Sequence, residues 1–510
     1  MATRYRTSEM KSFEDCGISV VFIIRLAILN MASKMKDGKD LAEYSVDFGQ
    51  KLGADYVEAR FVNDTLRGMA FRNGMLVSGG FTPSTGIGVR VLVDGSMGFA
   101  SFDRLEKGLA EEAITAATKM AKNAKRKEPI DLGEPVANVA KWKMEAKEPL
   151  QDVDIDTIKE FCNEVNQQMV GLASFVFLFN AKVIDKYLVT SEGTKIDSQL
   201  SYLLMYTVLT AQAPGGSEQK FLDLTLAGGW ERIRETNLIE NVKDEVVRLQ
   251  KAAASAVKID ELMTQPIDMV VGPEVAGIIA HENIGHPSEG DRIMGREGAQ
   301  AGESFWRDLK IGESRVGSDT VSVSEDPTIV KTSGHYVYDD EGVKARKREL
   351  IKDGIIHEPL LNREFGTKFG TGSNAAARAT EYNREPIIRM ANTYFEPGDY
   401  TFEELVEDVK LGVFMRSFQE WNIDDRRYQS KYTGSEAYLI KNGEITDTMV
   451  KRPIMETTSI GMLSAVDAIS KNLRFDFPGT CGKSDPAQGA PVYAGGGDIR
   501  FRGIRLGGVG

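Results

Sequence analysis

An α+β fold follows from three features of the sequence. β-rich runs joined by Asn-Gly and Asp-Gly pairs alternate with stretches of helical spacing, the chain beyond residue 287 is mainly strands and turns, and 50 glycines stand against 16 prolines. Such a glycine excess suits a fold with many sheet corners and close backbone approaches. The expected form is an antiparallel meander plus helices in the N-terminal part and a β-rich C-terminal domain that contains a distorted helix.

Leu41, Tyr44, Val46, Phe48 and Leu52 recur at roughly helical spacing and Gly53 follows as a stop, so a first helix is expected over 41–52. From Tyr56 to Ser101 the runs are β-rich, and Asn73-Gly74 and Asp94-Gly95 are two-residue hairpin signals. Asp103 with Glu106 resembles a capping box for a second helix carrying Leu105, Leu109, Ala113, Ala117, Met120 and Ala124. The basic tail of that helix, Lys119 to Lys127, reads as charge matched to the helix dipole, with no interleaved aromatics to suggest nucleic acid. Residues 128–150, with Pro129, Pro135 and Pro149 and no clean period, read as a linker or a long surface crossing. Asp156–Met169 is expected to be a helix, Ser174–Gln212 several long strands, and Glu231–Val257 one or two amphipathic helices. Ile267–Val271 is a short buried-strand pattern leading through Gly272-Pro273 into a helix that reaches His281. Further hairpins are expected at Asp353-Gly354 and Asn442-Gly443.

At roughly 150 residues per domain, 510 residues suggest about three units. They are placed as a poorly packed extension at 1–35, an N-terminal α/β meander domain at 36–127, a linker and central β-rich unit at 128–230, and a C-terminal domain at 231–510. With 42% hydrophobic and 27% charged residues the composition is that of a globular chain. A net charge of -12 would repel a phosphate backbone, which argues against a nucleic-acid partner. The most apolar stretch, Ile18–Leu29, contains Ser19 and Arg25 and falls short of the roughly 20 residues a membrane span needs. The same region lacks a clear signal-peptide cleavage site. Three cysteines, Cys16, Cys162 and Cys481, cannot build a disulfide framework and suit a reducing, cytoplasmic setting.

Chemistry concentrates in one window. Two of the four histidines, His281 and His286, flank Glu282-Asn283-Ile284-Gly285. Two imidazoles beside a carboxylate are what a hydrolytic zinc site needs: neutral nitrogen ligands and a base for the bound water. The spacing of five is unusual, because at about 100° per residue the two rings diverge by roughly 140° on a regular helix. On spacing alone they could be ordinary helix-end residues. A wide turn of the i to i+5 kind would bring them together, and such turns favour functional sites. Gly285 lowers the steric barrier to distortion and Pro287 stops normal continuation, so a π-type turn or a helix end is expected at 281–286. Cys481, in Gly479-Thr480-Cys481-Gly482-Lys483, is the best third ligand: the glycines allow a tight, exposed presentation and Lys483 would favour the thiolate.

Taken together, His281-Glu282-x-x-x-His286, Glu289-Gly290-Asp291 and Gly298-Ala299-x-Ala301-Gly302 resemble the signature of the TldD/PmbA family of metallopeptidases, on the TldD-like catalytic side. Tyr338-Asp339-Asp340-Glu341-Gly342, Met390-Ala391-Asn392-Thr393-Tyr394, Glu436-Ala437-Tyr438-Leu439-Ile440 and Gly479-Thr480-Cys481-Gly482-Lys483 extend the likeness over most of 267–510. The first 35 residues match nothing in that family, and Arg416–Tyr432, with Glu420-Trp421-Asn422-Ile423 inside it, is more polar than the family's Gly-rich pattern. The resemblance implies a C-terminal metallopeptidase domain built around a metal-binding helix, with one zinc on His281, His286 and Cys481 and Glu282 as general base. It implies hydrolysis of unfolded or extended peptides by a metal-bound water of pKa roughly 7. A dimer with a metal-free relative or a second copy is implied too. Alternatives are a non-catalytic peptide-binding or assembly subunit of a peptidase complex, and a zinc amidase for small substrates. His335 or Tyr336 is expected near the oxyanion, and Arg378, Arg384 and Arg389 either grip peptide or are exposed loop charges.

Overall fold

The computed structural model describes residues 37–124, 126–214, 216–297 and 302–507. The expected extension at 1–35, with Cys16 and the Ile18–Leu29 stretch, lies outside the described residues, as do Gly298 to Ala301 of the quoted signature. Among the described residues no helix is long and apolar enough to cross a membrane.

A helix runs through 37–51 (α1) and precedes the meander of β1 (Tyr56–Arg72), β2 (Met75–Val93) and β3 (Ser96–Phe102). Both hairpins turn where the sequence places them: Asn73, Gly74, Asp94 and Gly95 all have positive φ, as a type I′ turn demands. Helix α2 (Lys107–Ala124) begins later than expected. The Ala110 N–H bonds the Glu106 carbonyl, so Glu106 stands at the helix entry, and Leu105 precedes the helix. Apolar residues of α1, α2 and β1–β3 form one core, among them Val46, Phe61, Val89 and Ile114.

The 128–150 stretch is not a plain linker, since β4 (Val139–Lys143) pairs in parallel with a later strand. Helix α3 (Ile155–Gln168) is capped by Asp154, whose side chain accepts from the Thr157 N–H. The several strands expected over 174–212 are two long ones, β5 (Ser174–Thr190) and β6 (Lys195–Ala213), followed by β7 (Gly216–Asp223) and β8 (Leu226–Ala227). The sheet order is β3-β2-β1-β5-β6-β4, with β7 and β8 also on β6. A short α4 (Arg232–Glu235) and α5 (Leu238–Ser255) cover its second half; Val242, Val246 and Leu249 of α5 pack with Phe177, Phe179 and Leu203.

After the single-turn α6 (Glu261–Thr264), β9 (Ile267–Val271) enters the centre of a six-stranded mixed sheet. It runs parallel to Leu411–Met415 and antiparallel to Ile499–Ile504. Gly272 and Pro273 start α7 (Pro273–Ala280), proline at the first position being pre-organised for a helix. α7 lies against a hairpin of Arg474–Lys483 and Gln488–Gly496. The approach is close: a β-carbon on Gly277 would stand 2.9 Å from Phe477 Cβ and 3.0 Å from the Ala494 carbonyl carbon. Glycine there lets the helix reach the hairpin backbone. The Asp353-Gly354 and Asn442-Gly443 turns form as expected, again with positive φ.

Buried and partly buried ion pairs fasten the N-terminal sheet to the C-terminal region. Arg90 contacts Glu58 at 2.7 Å and Glu341 at 3.0 Å, Lys186 contacts Asp340 at 3.1 Å, and Arg363 contacts Glu192 at 2.7 Å. Removing one partner of the buried Arg90 pairs strands a charge away from water, at a cost of about 3–5 kcal/mol.

Candidate metal centre

α7 ends in a π turn over His281–Gly285, and the His286 N–H bonds the His281 carbonyl five residues back. The extra residue in the turn swings the second histidine onto the side of the first, so that the two ring centroids lie 4.9 Å apart. Gly285 has φ -58 and ψ -59, which any residue can adopt. Its role is therefore spatial rather than conformational. A β-carbon there would run into the Met390 sulfur and lie 3.3 Å from Thr393 Oγ1.

Ligand atoms of His281, His286 and Cys481 all lie within 4.8 Å of one another. Cys481 Sγ is 3.4 Å from His286 Nε2, and all three residues are buried. Cys481 is not presented on an exposed turn. It sits inside the Arg474–Lys483 strand, where Gly479, Cys481 and Gly482 pair with Val492, Ala490 and Gly489. Nor does Lys483 serve the thiolate: it points away to Asp291 at 2.7 Å and Glu289 at 3.2 Å. Burial would raise the Cys481 thiol, but His286 and the Arg389 guanidinium outweigh it and hold the thiol below its ordinary value. Burial pushes His281 down, towards the neutral imidazole that ligation requires. Its Nδ1 is buried with no hydrogen-bond partner. An orphaned imidazole nitrogen beside a thiol is a donor set that a borderline-soft cation such as zinc fits.

Behind the candidate ligands is a carboxylate support. Glu289 Oε2 stands 3.0 Å from His286 Nδ1 and 2.8 Å from Arg292 Nε. Burial would raise this carboxyl, yet Lys483, His286 and Arg292 keep it well below the usual range. An ionised partner of this kind fixes the tautomer and tilt of a ligating ring. Glu282 accepts from Trp421 Nε1 and from Arg427 Nη1, each at 2.9 Å. Burial works against its ionisation, but His286, His281, Arg427 and Trp421 together hold it below its ordinary value.

The centre opens on a cleft of about 1320 Å³ walled on one side by Tyr206 and Phe221 of the N-terminal sheet and on the other by Trp421 and Phe477. His335 and Tyr336 are elsewhere. His335 Nδ1 lies 2.8 Å from the Pro327 carbonyl, and the buried Tyr336 hydroxyl donates to the Ala375 carbonyl. The expected arginines are scaffold: Arg378 donates to the Met390 and Pro491 carbonyls, and Arg389 to those of Gln488 and Cys481. Arg384 donates to the Asn383 carbonyl, and its own carbonyl accepts from Arg60. Cys162 is buried in α3 with its thiol pushed up to about 12 by burial, which makes it unreactive. Trp421, Arg427 and the support role of Glu289 and Lys483 were not foreseen from the sequence. Glu289 and Lys483 stand in motifs that carried the resemblance, whereas Trp421 and Arg427 are 139 and 145 residues from Glu282 with no local signal.

Two imidazoles, a thiol and an ionised carboxylate at the foot of an open cleft are the parts of a metal-dependent hydrolase. Residues 264–508 match the PmbA/TldA metallopeptidase C-terminal domain, and 57–125 match domain 1 of the same metallopeptidases. A metalloprotease of Methanocaldococcus jannaschii is 32% identical over 454 residues, which is 88% of this chain and 96% of that one. A zinc metalloprotease TldD homolog of Saccharolobus solfataricus is 30% identical over 270 residues, 52% of this chain and 57% of that one. The fold is similar to the crystal structure of TldE from Thermococcus kodakarensis, with a TM-score of 0.70, 17% identity, and coverage of 92% of this chain and 100% of that one. The chain belongs to the TldD/PmbA family of metallopeptidases, as the sequence motifs imply, and the α+β class is the one expected.

Proposed function

We propose that the chain is a zinc-dependent peptidase that hydrolyses unfolded or extended peptides, with His281, His286 and Cys481 as the ligands and Glu282 as general base. The observation that carries this reading is the convergence of three buried ligand atoms within 4.8 Å at the foot of a large cleft, with Glu282 on the same turn as the histidines. When bound, zinc supplies Lewis acidity that acidifies a water and polarises the scissile carbonyl. Glu282, ionised, takes the proton from the attacking water as the new C–O bond forms. It then returns that proton to the leaving nitrogen as the C–N bond breaks. Glu289 holds the His286 ring throughout.

An extended substrate suits the cleft. The cleft-lining strand Phe418–Ile423 pairs on one side with Gln429–Gly434, and an added peptide strand could use its other edge for main-chain hydrogen bonds. A metal-free relative or a second copy closing the cleft belongs to the same reading, checked by sizing with and without the relative. The decisive experiment is Glu282→Gln, assayed for bound zinc and for cleavage of an unfolded protein. Retained zinc with turnover lost supports the assignment; retained zinc with full turnover sinks it.

A further inference from the structure

The polar side chains of the π turn are held from outside chiefly by one hairpin. Besides the Glu282 carboxylate, held by Trp421 and Arg427, the turn exposes Asn283 to the same element: Asn283 Nδ2 donates to Ser430 Oγ at 3.0 Å, and the Tyr432 hydroxyl donates to Asn283 Oδ1. These partners lie on or between Phe418–Ile423 and Gln429–Gly434, so the hairpin holds the Glu282 carboxylate and shares the orientation of Asn283 with Ser459, whose Oγ accepts from Asn283 Nδ2 at 2.8 Å. The hairpin is itself fixed, since Ser459 Oγ bonds the Arg427 carbonyl at 2.8 Å.

We propose that Trp421 and Arg427 are positioning residues for Glu282, holding one carboxylate oxygen each so that the remaining lone pairs face the reacting water; this rests on the general-base reading above. A carboxylate offers about four lone-pair sites, so two donors leave it able to accept a proton. Both donors suit the task because neither can take that proton: an indole nitrogen only donates, and guanidinium does not deprotonate in proteins. Without them a glutamate side chain beside an open cleft samples several rotamers, and only a fraction of these place an oxygen within hydrogen-bond reach of the water. Trp421 is 36% exposed and lines the cleft, while its ring leans on Phe418 at 5.5 Å and Phe477 at 6.4 Å. Phenylalanine can keep that packing and lose only the N–H.

The test uses the full chain with zinc, in Trp421→Phe, Glu282→Gln and the double variant, reading bound zinc by elemental mass spectrometry and kcat and KM on an unfolded protein. Loss of a hydrogen bond to a charged group predicts that Trp421→Phe lowers kcat about tenfold or more, with KM and zinc content unchanged. In the Glu282→Gln background the same change should add nothing, because residues that act through one group are not additive. Arg427→Met should lose turnover comparably and Arg427→Lys recover part of it. An unchanged kcat in Trp421→Phe, or a loss that persists at the residual rate of Glu282→Gln, overturns the positioning role. So does loss of zinc in step with turnover, which would make Trp421 a structural support of the ligands. Full turnover in Glu282→Gln would instead strike the base assignment itself, and the two failures are distinct.

Discussion

Gly285→Ala is a one-carbon test of how the ligand pair is held. Backbone strain plays no part, because φ at Gly285 is -58. The added methyl would collide with the sulfur of Met390, a side chain 1% exposed and packed within the C-terminal core, and crowd Thr393 Oγ1 at 3.3 Å. Overpacking of a closed core costs about 1–3 kcal/mol, equivalent to a fall in Tm of about 2–4 °C per kcal/mol for a unit of roughly 150–250 residues. The larger effect should fall on the metal. His286 is the next residue, and ligand distances tolerate deviations of only about 0.2 Å. Zinc per chain, measured after dialysis against a weak chelator, is expected to drop together with Tm. Met390→Ala added to Gly285→Ala empties the contested volume and should restore zinc, even though Met390→Ala alone opens a cavity costing about 2–5 kcal/mol. Full zinc and an unaltered Tm in Gly285→Ala, or failure of the second change to rescue the first, would refute the steric account.

Glu289→Gln should weaken zinc binding about 10–100-fold in a competition titration, as loss of a carboxylate behind a ligating histidine does elsewhere; unchanged affinity would leave Glu289 with only its ion pairs to Arg292 and Lys483. Glu274, on the first turn of α7, has its carboxyl pushed up to about 7 by burial, with Lys220 holding it back and Glu245 adding to the rise. A raised folded value contributes stability that is complete below the unfolded value of about 4.3 and is lost as pH rises through about 7. The Tm of Glu274→Gln relative to the natural chain should therefore rise between pH 5 and pH 8; a constant difference would show that the carboxyl titrates normally.

What the sequence made legible was local. Asn73-Gly74, Asp94-Gly95, Asp353-Gly354 and Asn442-Gly443 all turn as read, because a two-residue I′ turn needs positive φ at both positions and these residues tolerate it. The π turn was legible for a similar reason, since the spacing of His281 and His286 and the presence of Pro287 constrain the same few residues. Long-range placement was not legible. Arg378 and Arg389 look like surface charges in a polar loop, yet they are buried and donate to carbonyls of strands about a hundred residues away. Lys483 stands two residues from Cys481, but strand geometry sends i and i+2 side chains to one face without making them touch, and its charge is taken by Asp291 and Glu289. The support of Glu282 by Trp421 and Arg427 depends on a hairpin folding back across the cleft, which no short-range pattern encodes.

Two of the proposed ligands lie on one helix end and the third arrives 195 residues after His286, on a strand that α7 can meet only because Gly277 lacks a side chain. During synthesis, the segment bearing both histidines and the base leaves the ribosome long before the strand bearing Cys481. A chain whose synthesis has not reached Cys481 lacks one of the three proposed ligands. The proposed site can therefore be assembled only after the last hairpin has docked against α7.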